Sequence, residues 1–373
     1  MTSRAMHPST SLSARLERLL HAAWQQRGIW AMVTRPLSWV THALVAVRQA
    51  AYQNGWKDST RLHVPVVVVG NIYVGGTGKT PFLQETVAQL QRRGWTPGIV
   101  SRGYGVAAGS EPLVGQGTID AGCFGDEPAL LARTTRAPVA VHPRRPLAAK
   151  ALLQQFPEVD VILLDDGLQH LALQRDIEIV MQDQRGVGNG LLLPAGPLRE
   201  PPSRLASVDV IVTNIGSEPF EPARFAGDVQ PTMPPPTGTR HVMMGVDVTS
   251  ARRLVDERQL LLDELCRDYA RVAAIAGIGQ PERFFASLRR AGVPLAETIA
   301  LPDHFDFKVH PFPPVDADII LITEKDAVKC GHLADERIWA VPVYLRFSDP
   351  GFFDWLHSRL VAYSNTKSFP RHG

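Results

Sequence analysis

The run Gly75-Gly76-Thr77-Gly78-Lys79-Thr80 stands between a β-branched stretch, His63 to Gly70, and a segment with Phe82, Leu83, Val87 and Leu90 on one helical face. A glycine turn between strand and helix lines up backbone N–H groups that, with the positive helix end, cradle phosphate oxygens. Lys79 would neutralise the outer phosphates and the Thr80 hydroxyl would ligate Mg²⁺. One position departs from G-x-x-x-x-G-K-[ST]: Tyr73 stands where the first glycine belongs, and Gly75 and Gly76 supply freedom two and three residues later. The nucleotide reading stands on context, because this Gly-Lys-Thr follows a strand pattern and opens a helix pattern that Gly94 can end.

A phosphate loop needs an acidic partner at a neighbouring strand end, and Asp160-Val161-Ile162-Leu163-Leu164-Asp165-Asp166 provides an apolar run closed by two carboxylates. Further polar clusters follow apolar runs or open helical ones: Ser101-Arg102-Gly103-Tyr104, Gly125-Asp126-Glu127-Pro128, Gly167-Leu168-Gln169-His170 and the Pro-rich 193–202 with Arg199. Taken singly, Asp126 fits an N-cap as well as a base, Arg102 a surface ion pair, Arg199 a solvated loop residue and His170 a satisfied histidine. Residue types alone do not choose. Asp303-His304-Phe305-Asp306 sets a histidine between carboxylates that would orient it, while Gly277-Ile278-Gly279 is half a dinucleotide fingerprint without its third glycine.

The elements that must position these groups read as α/β: a P-loop NTPase-like parallel sheet core, preceded by amphipathic helices and followed by a second, smaller α/β domain. The expected boundaries are 1–60 for interface helices, 61–216 for the core, 217–255 for a Pro- and Gly-rich connection, and 256–363 for the smaller domain with a return segment. Strand-then-helix patterns at Val272–Gly279 and Ile319–Asp326 carry the second domain. The 373 residues, 45% of them apolar, can build two cores. Three cysteines without a CxxC pair argue against a disulfide framework or structural zinc. A net charge of +2 argues against a nucleic-acid binder, and no obligate protein partner is evident.

Charge distribution says more. Residues 1–57 hold seven basic side chains against Glu17 alone, and four of the seven tryptophans, Trp24, Trp30, Trp39 and Trp56. Leu12, Leu16, Leu19, Leu20, Ala23 and Trp24 form a helical stripe, and a second apolar stretch covers 28–47. Its uncharged run, 36–47, is too short to cross a bilayer. Packing on the protein body and lying in a membrane interface both remain open for these helices.

The segments GNIYVGGTGKTP, SRGYG, GDEP, LLDDGLQH, LPAGPLRE, AGIGQPERFF, LPDHFDF and TEKDAVK, in this order, resemble the tetraacyldisaccharide 4′-kinases, the lipid A kinases of Gram-negative bacteria. The resemblance spans roughly residues 10 to 360, and the family's loop is similar to the Tyr73 variant. Leu168 departs from it, standing where phenylalanine is more frequent. The resemblance implies ATP- and Mg²⁺-dependent phosphorylation of the 4′-hydroxyl of a tetraacylated disaccharide 1-phosphate, forming lipid IVA at the cytoplasmic face of the inner membrane. A substrate with four acyl chains stays in the bilayer, which favours the interfacial reading of the helices.

Carried over by motif, Gly75 to Thr80 would bind ATP, with Thr80, Glu127 and Asp165 as Mg²⁺ ligands. Asp126 would be the base, helped by His304, with Lys79, Asp166 and Arg199 acting on the phosphoryl group. Asn71, Arg102, Gln169 and His170 would face the acceptor. The rival is a P-loop ATPase used as a conformational switch, which would turn over ATP without a lipid. No guanine-reading tetrapeptide occurs in the core, Thr323-Glu324-Lys325-Asp326 being the nearest imitation, so ATP is expected rather than GTP.

Overall fold

A computed structural model describes residue 24 and residues 28–103, 109–218, 238–303, 305, 307, 311–330 and 333–366. In chain order the elements are α1 (Ile29–Gln53), β1 (Val66–Gly70), α2 (Lys79–Arg92), β2 (Pro97–Ser101), β3 (Leu113–Gly115), α3 (Ala121–Phe124), α4 (Asp126–Thr135), β4 (Val139–Val141), α5 (Arg145–Gln155), β5 (Val161–Asp165), β6 (Ile177–Asp183), β7 (Val210–Gly216) and β8 (Arg240–Asp247). They continue with β9 (Ser250–Arg253), β10 (Gln259–Leu261), α6 (Leu262–Asp268), β11 (Val272–Ala276), α7 (Pro281–Arg290), β12 (Leu295–Ala300), β13 (Ile319–Thr323), α8 (Glu324–Ala327), β14 (Ile338–Val341), β15 (Tyr344–Phe347) and α9 (Phe352–Thr366).

Nine strands form the large sheet in the order β15-β8-β7-β6-β1-β5-β2-β4-β3, parallel except at its two edges. The central strand β1 is apolar throughout because both faces are covered, the expected pattern for a buried parallel strand. Its alternate residues serve two cores. Val67 and Val69 pack with Phe82, Leu83 and Val87 of α2, Leu131 of α4 and Phe352 of α9. Val66 and Val68 pack on the other face with Ala148, Ala149 and Leu152 of α5 and with Leu168. Adjacent strands bring Val69 of β1 opposite Asp165 of β5, so the loop after β1 and the carboxylates after β5 open at the same sheet edge.

A six-stranded sheet, β10-β9-β14-β13-β11-β12, makes the smaller domain, with α6 and α7 on one face and Phe307, Phe312 and Ala327 on the other. The chain enters it from β8 and returns by β15, which pairs antiparallel with β8 at Tyr344 and Asp247. Of the stretch 217–255, residues 219–237 lie outside the described ones, and 240–247 and 250–253 are strand: β8 joins the large sheet beside β7 because Val242 and Met244 fill its core, and β9 already belongs to the smaller sheet.

The stripe Leu12 to Ala23 lies outside the described residues. α1 carries two opposed faces. Ala31 and Ser38 are buried on one, with Ser38 Oγ donating to Leu192 O at 2.9 Å, and Trp30 Nε1 donates to Pro194 O at 3.3 Å. On the outside Met32, Val33, Leu37, Val40, Leu44 and Val47 each remain 60–71% exposed. Residues 33, 37, 40, 44 and 47 recur at helical spacing, so the apolar stripe points away from the protein and the small residues point into it. Trp39 and Trp56 are exposed, whereas Trp24 is buried with Nε1 donating to Pro194 O at 3.1 Å. No helix among the described residues is long and apolar enough to cross a membrane.

Candidate active site

The loop between β1 and α2 is built on two glycines with φ of +101° (Gly75) and +89° (Gly78), values that L side chains rarely adopt. A Cβ on Gly78 would also fall 2.3 Å from Asn214 Nδ2, so this position needs glycine on two counts. The segment 193–200 lies along the loop: Val74 N donates to Pro197 O at 2.9 Å and Arg199 N to Ile72 O at 2.7 Å. That pairing delivers Arg199 to the carboxylates. Lys79 opens α2, and its Nζ stands 3.4 Å from Asp166 Oδ1, while Arg199 Nη1 stands 2.9 Å from Asp166 Oδ2.

The two adjacent carboxylates are driven apart electrostatically. Burial, aided by the negative charge of Glu127, pushes Asp165 up to about 6 against the pull of Lys79, and Ser101 Oγ donates to it at 2.9 Å. Burial also opposes ionisation of Asp166, but Lys79 and Arg199 outweigh it and hold that carboxyl below its ordinary range. Asp166 occupies the left-handed region, φ +48°, which a non-glycine residue rarely adopts.

Asp126 and Glu127 begin α4, after Gly125 with φ +94°. Both meet lysines of the smaller domain: Lys329 Nζ is 2.7 Å from Asp126 Oδ2, and Lys325 Nζ is 3.1 Å from Glu127 Oε1 and 3.8 Å from Asp303 Oδ1. Burial works against the charge on Lys325, yet Glu127 and Asp303 raise its pKa. Composition and motif did not single out Lys325 or Lys329 as site residues; the signal was their place in a helix turn straight after the buried run Ile319–Ile322. His304 lies outside the described residues.

On the acceptor side, Gln169 Nε2 donates to Glu200 Oε1 at 2.5 Å, and Glu200 in turn accepts from Arg204 at 3.2 Å and from Gln49 of α1 at 3.4 Å. His170 borders a cavity of about 360 Å³ with Arg144, Arg145 and Leu147. Burial, and then the charges of Arg145, Arg48 and Arg102, lowers His170 to about 4, so its ring is neutral near pH 7. Arg102 is exposed at the end of β2. Asn71 differs from its expected place: it is fully buried, and its Nδ2 donates to Gly75 O at 3.0 Å, inside the loop rather than toward an acceptor.

Among the described residues no group of three or more His, Cys, Asp or Glu side chains converges to hold an ion unaided. Thr80, Asp165 and Glu127 fit an ion shared with a nucleotide, because Mg²⁺ takes one or two carboxylates and completes its shell with water and phosphate oxygens.

The family model of the tetraacyldisaccharide-1-P 4′-kinases matches residues 30–361. The tetraacyldisaccharide 4′-kinase of Bordetella parapertussis is 54% identical over 348 residues, 93% of this chain and 97% of that protein. Its counterpart in Bordetella petrii is 52% identical over 358 residues, 95% and 98% of the two chains. Among solved structures, an "apo" form of LpxK from Aquifex aeolicus in complex with ATP superposes with a TM-score of 0.73 at 27% identity, covering 88% of this chain and 99% of that one.

Proposed function

The chain belongs to the tetraacyldisaccharide-1-P 4′-kinase family, and from that premise we propose how its residues transfer the γ-phosphoryl group of ATP to the 4′-hydroxyl of tetraacyldisaccharide 1-phosphate. The observation that carries the reading is the convergence of Lys79, Asp166 and Arg199 beside a glycine loop: two cations within 3.4 Å of one carboxylate. The loop's N–H groups and Lys79 bind the phosphates, and Arg199 stands where charge builds on the transferring group. Asp126, at the start of α4, receives the proton of the sugar hydroxyl. Thr80, Asp165 and Glu127 would hold Mg²⁺, which would supply positive charge against that of the nucleotide phosphates. His170, neutral at working pH, Gln169 and Arg102 face the disaccharide, and His304 assists Asp126 from the smaller domain. Lys325 and Lys329 draw that domain onto α4, which excludes water and suppresses hydrolysis.

The acceptor reaches this site at a membrane surface. The exposed stripe of α1 lies on the opposite side of the helix from its contacts with the 187–200 segment, so a helix seated in the interface keeps Arg199 and Gln169 near the lipid headgroups. We place the protein as a peripheral or monotopic occupant of the cytoplasmic face of the inner membrane.

The experiment is mass spectrometry of the lipid formed from tetraacyldisaccharide 1-phosphate, ATP and Mg²⁺, expecting one added phosphate on the 4′ carbon and none with Lys79→Ala. ATP consumption that runs equally fast with and without the lipid would favour the ATPase switch.

A further inference from the structure

The phosphate loop lacks the first glycine of its pattern, yet three successive carbonyls in it are each taken by a different side chain. Asn71 Nδ2 donates to Gly75 O at 3.0 Å, Arg185 Nη2 to Gly76 O at 3.0 Å and Asn214 Nδ2 to Thr77 O at 3.1 Å. In a planar trans peptide the C=O of one residue and the N–H of the next point in opposite directions. Tying the carbonyls of Gly75, Gly76 and Thr77 to one side therefore aims the N–H groups of Gly76, Thr77 and Gly78 to the other, where phosphate oxygens must lie.

Arg185 is held by two further groups. Its guanidinium lies over the Tyr73 ring, with Cζ 4.4 Å from the centroid, so the residue that replaces glycine becomes the platform for the arginine that shapes the loop. Its Nε and Nη2 are gripped by Asp183, at 2.9 and 2.7 Å. Asp183 is almost fully buried at the end of β6, and it also accepts from Arg185 N at 3.0 Å and from Arg283 Nη2 of α7 in the smaller domain at 2.9 Å. We propose that Asn71, Arg185 and Asn214 are positioning residues that preset the phosphate loop for a nucleoside triphosphate, and that Asp183 couples this setting to the smaller domain through Arg283. The proposal rests on the kinase reading of the same loop. Arg283 thus acts on the nucleotide without touching it, and the smaller domain tightens ATP binding in addition to closing the site.

The test measures ATP binding to the purified full-length protein by calorimetry, without glycolipid. Arg185→Ala is expected to weaken binding about tenfold, and Arg185→Lys, which keeps the charge but loses the flat stack and fork, to recover only part. Arg283→Ala, whose side chain is 42% exposed and leaves the core intact, is expected to weaken binding about threefold. The double variant should bind no more weakly than Arg185→Ala alone, because both act through one chain of contacts. In turnover, KM for ATP should rise by these factors while kcat at saturating ATP changes little.

Unchanged ATP affinity in Arg185→Ala, or losses that multiply in the double variant, would overturn the proposal. Should Arg185→Ala not fold, Arg185→Lys and its combination with Arg283→Ala carry the same comparison. A wild-type protein that binds no ATP refutes the kinase reading instead, whereas normal wild-type binding with indifferent variants overturns the proposal and leaves the kinase reading standing.

Discussion

Replacing Leu37, Val40 and Leu44 of α1 by glutamine removes three side chains that are 61%, 60% and 65% exposed in the protein, at positions that share one helical stripe. Burying a Leu or Val side chain completely is worth about 1.5–3 kcal/mol. With about three-fifths of each surface still available to a bilayer, each contributes about 0.9–1.8 kcal/mol, and the triple variant loses about 2.7–5.4 kcal/mol of membrane binding, a factor of about 10²–10⁴. Glutamine is a good helix former and none of the three residues is buried in the protein, so folding should change by less than about 0.5 kcal/mol. The assay is co-sedimentation with phosphatidylethanolamine–phosphatidylglycerol vesicles, with calorimetric ATP binding as the control for an intact site. Vesicle partition within threefold of wild type would refute the assignment of this face to the membrane and leave the exposed stripe without an account.

Asp126→Asn should lower kcat by about 10²–10⁴ while ATP affinity holds, since it removes proton acceptance and leaves the loop untouched; steady-state transfer of labelled phosphate reads this, and a retained kcat removes Asp126 as base. Gly78→Ala forces a side chain into φ +89° against Asn214 and should cost at least about 1–2 kcal/mol, measured by urea denaturation, with ATP binding lost in step. His170, lowered from 6.5 to about 4, binds fewer protons folded than unfolded between those pH values, so its contribution makes stability rise with pH from about 4 to 6.5 and level off above. The full shift corresponds to about 3 kcal/mol, and partial exposure of the ring reduces it to about 1–2. His170→Asn should flatten the rise in urea midpoint between pH 4.5 and 7 by that amount, and an unaltered slope would show that His170 does not carry it.

The core was legible where one strand carries one signal. The β-branched run before Gly70 and the apolar run before Asp165 are buried on both faces, which leaves no polar alternation to confuse them, and each ends in the residues that do chemistry. The same rule applies to Ile177–Met181 ahead of Asp183, a buried strand beside β1 whose terminal carboxylate organises the loop through Arg185. What spacing does not carry is contact between distant segments. Nothing local to Lys325 and Lys329 says that they will face Asp126 and Glu127, some two hundred residues earlier, because that meeting depends on how β8 and β15 set one sheet against the other. Asn71 shows the complementary failure: a polar residue at a strand end reads as a ligand contact, but here it satisfies the carbonyl of a turn whose geometry the sequence does not spell out.

The charges that were hardest to read also explain why this chain needs a second domain. The core presents Asp126, Glu127, Asp165 and Asp166 around one crevice, and its own cations there, Lys79 and Arg199, both fall on Asp166. Left to the core, the other three would repel one another, and Glu127 adds to the burial that raises Asp165. The smaller domain brings two ammonium groups to Asp126 and Glu127, and a third cation, Arg283, to Asp183 on the opposite flank of the loop. Cations arriving on both flanks hold the crevice together. A cation bound at Glu127 would compete with Lys325 for the same carboxylate, which would make closure sensitive to what is bound.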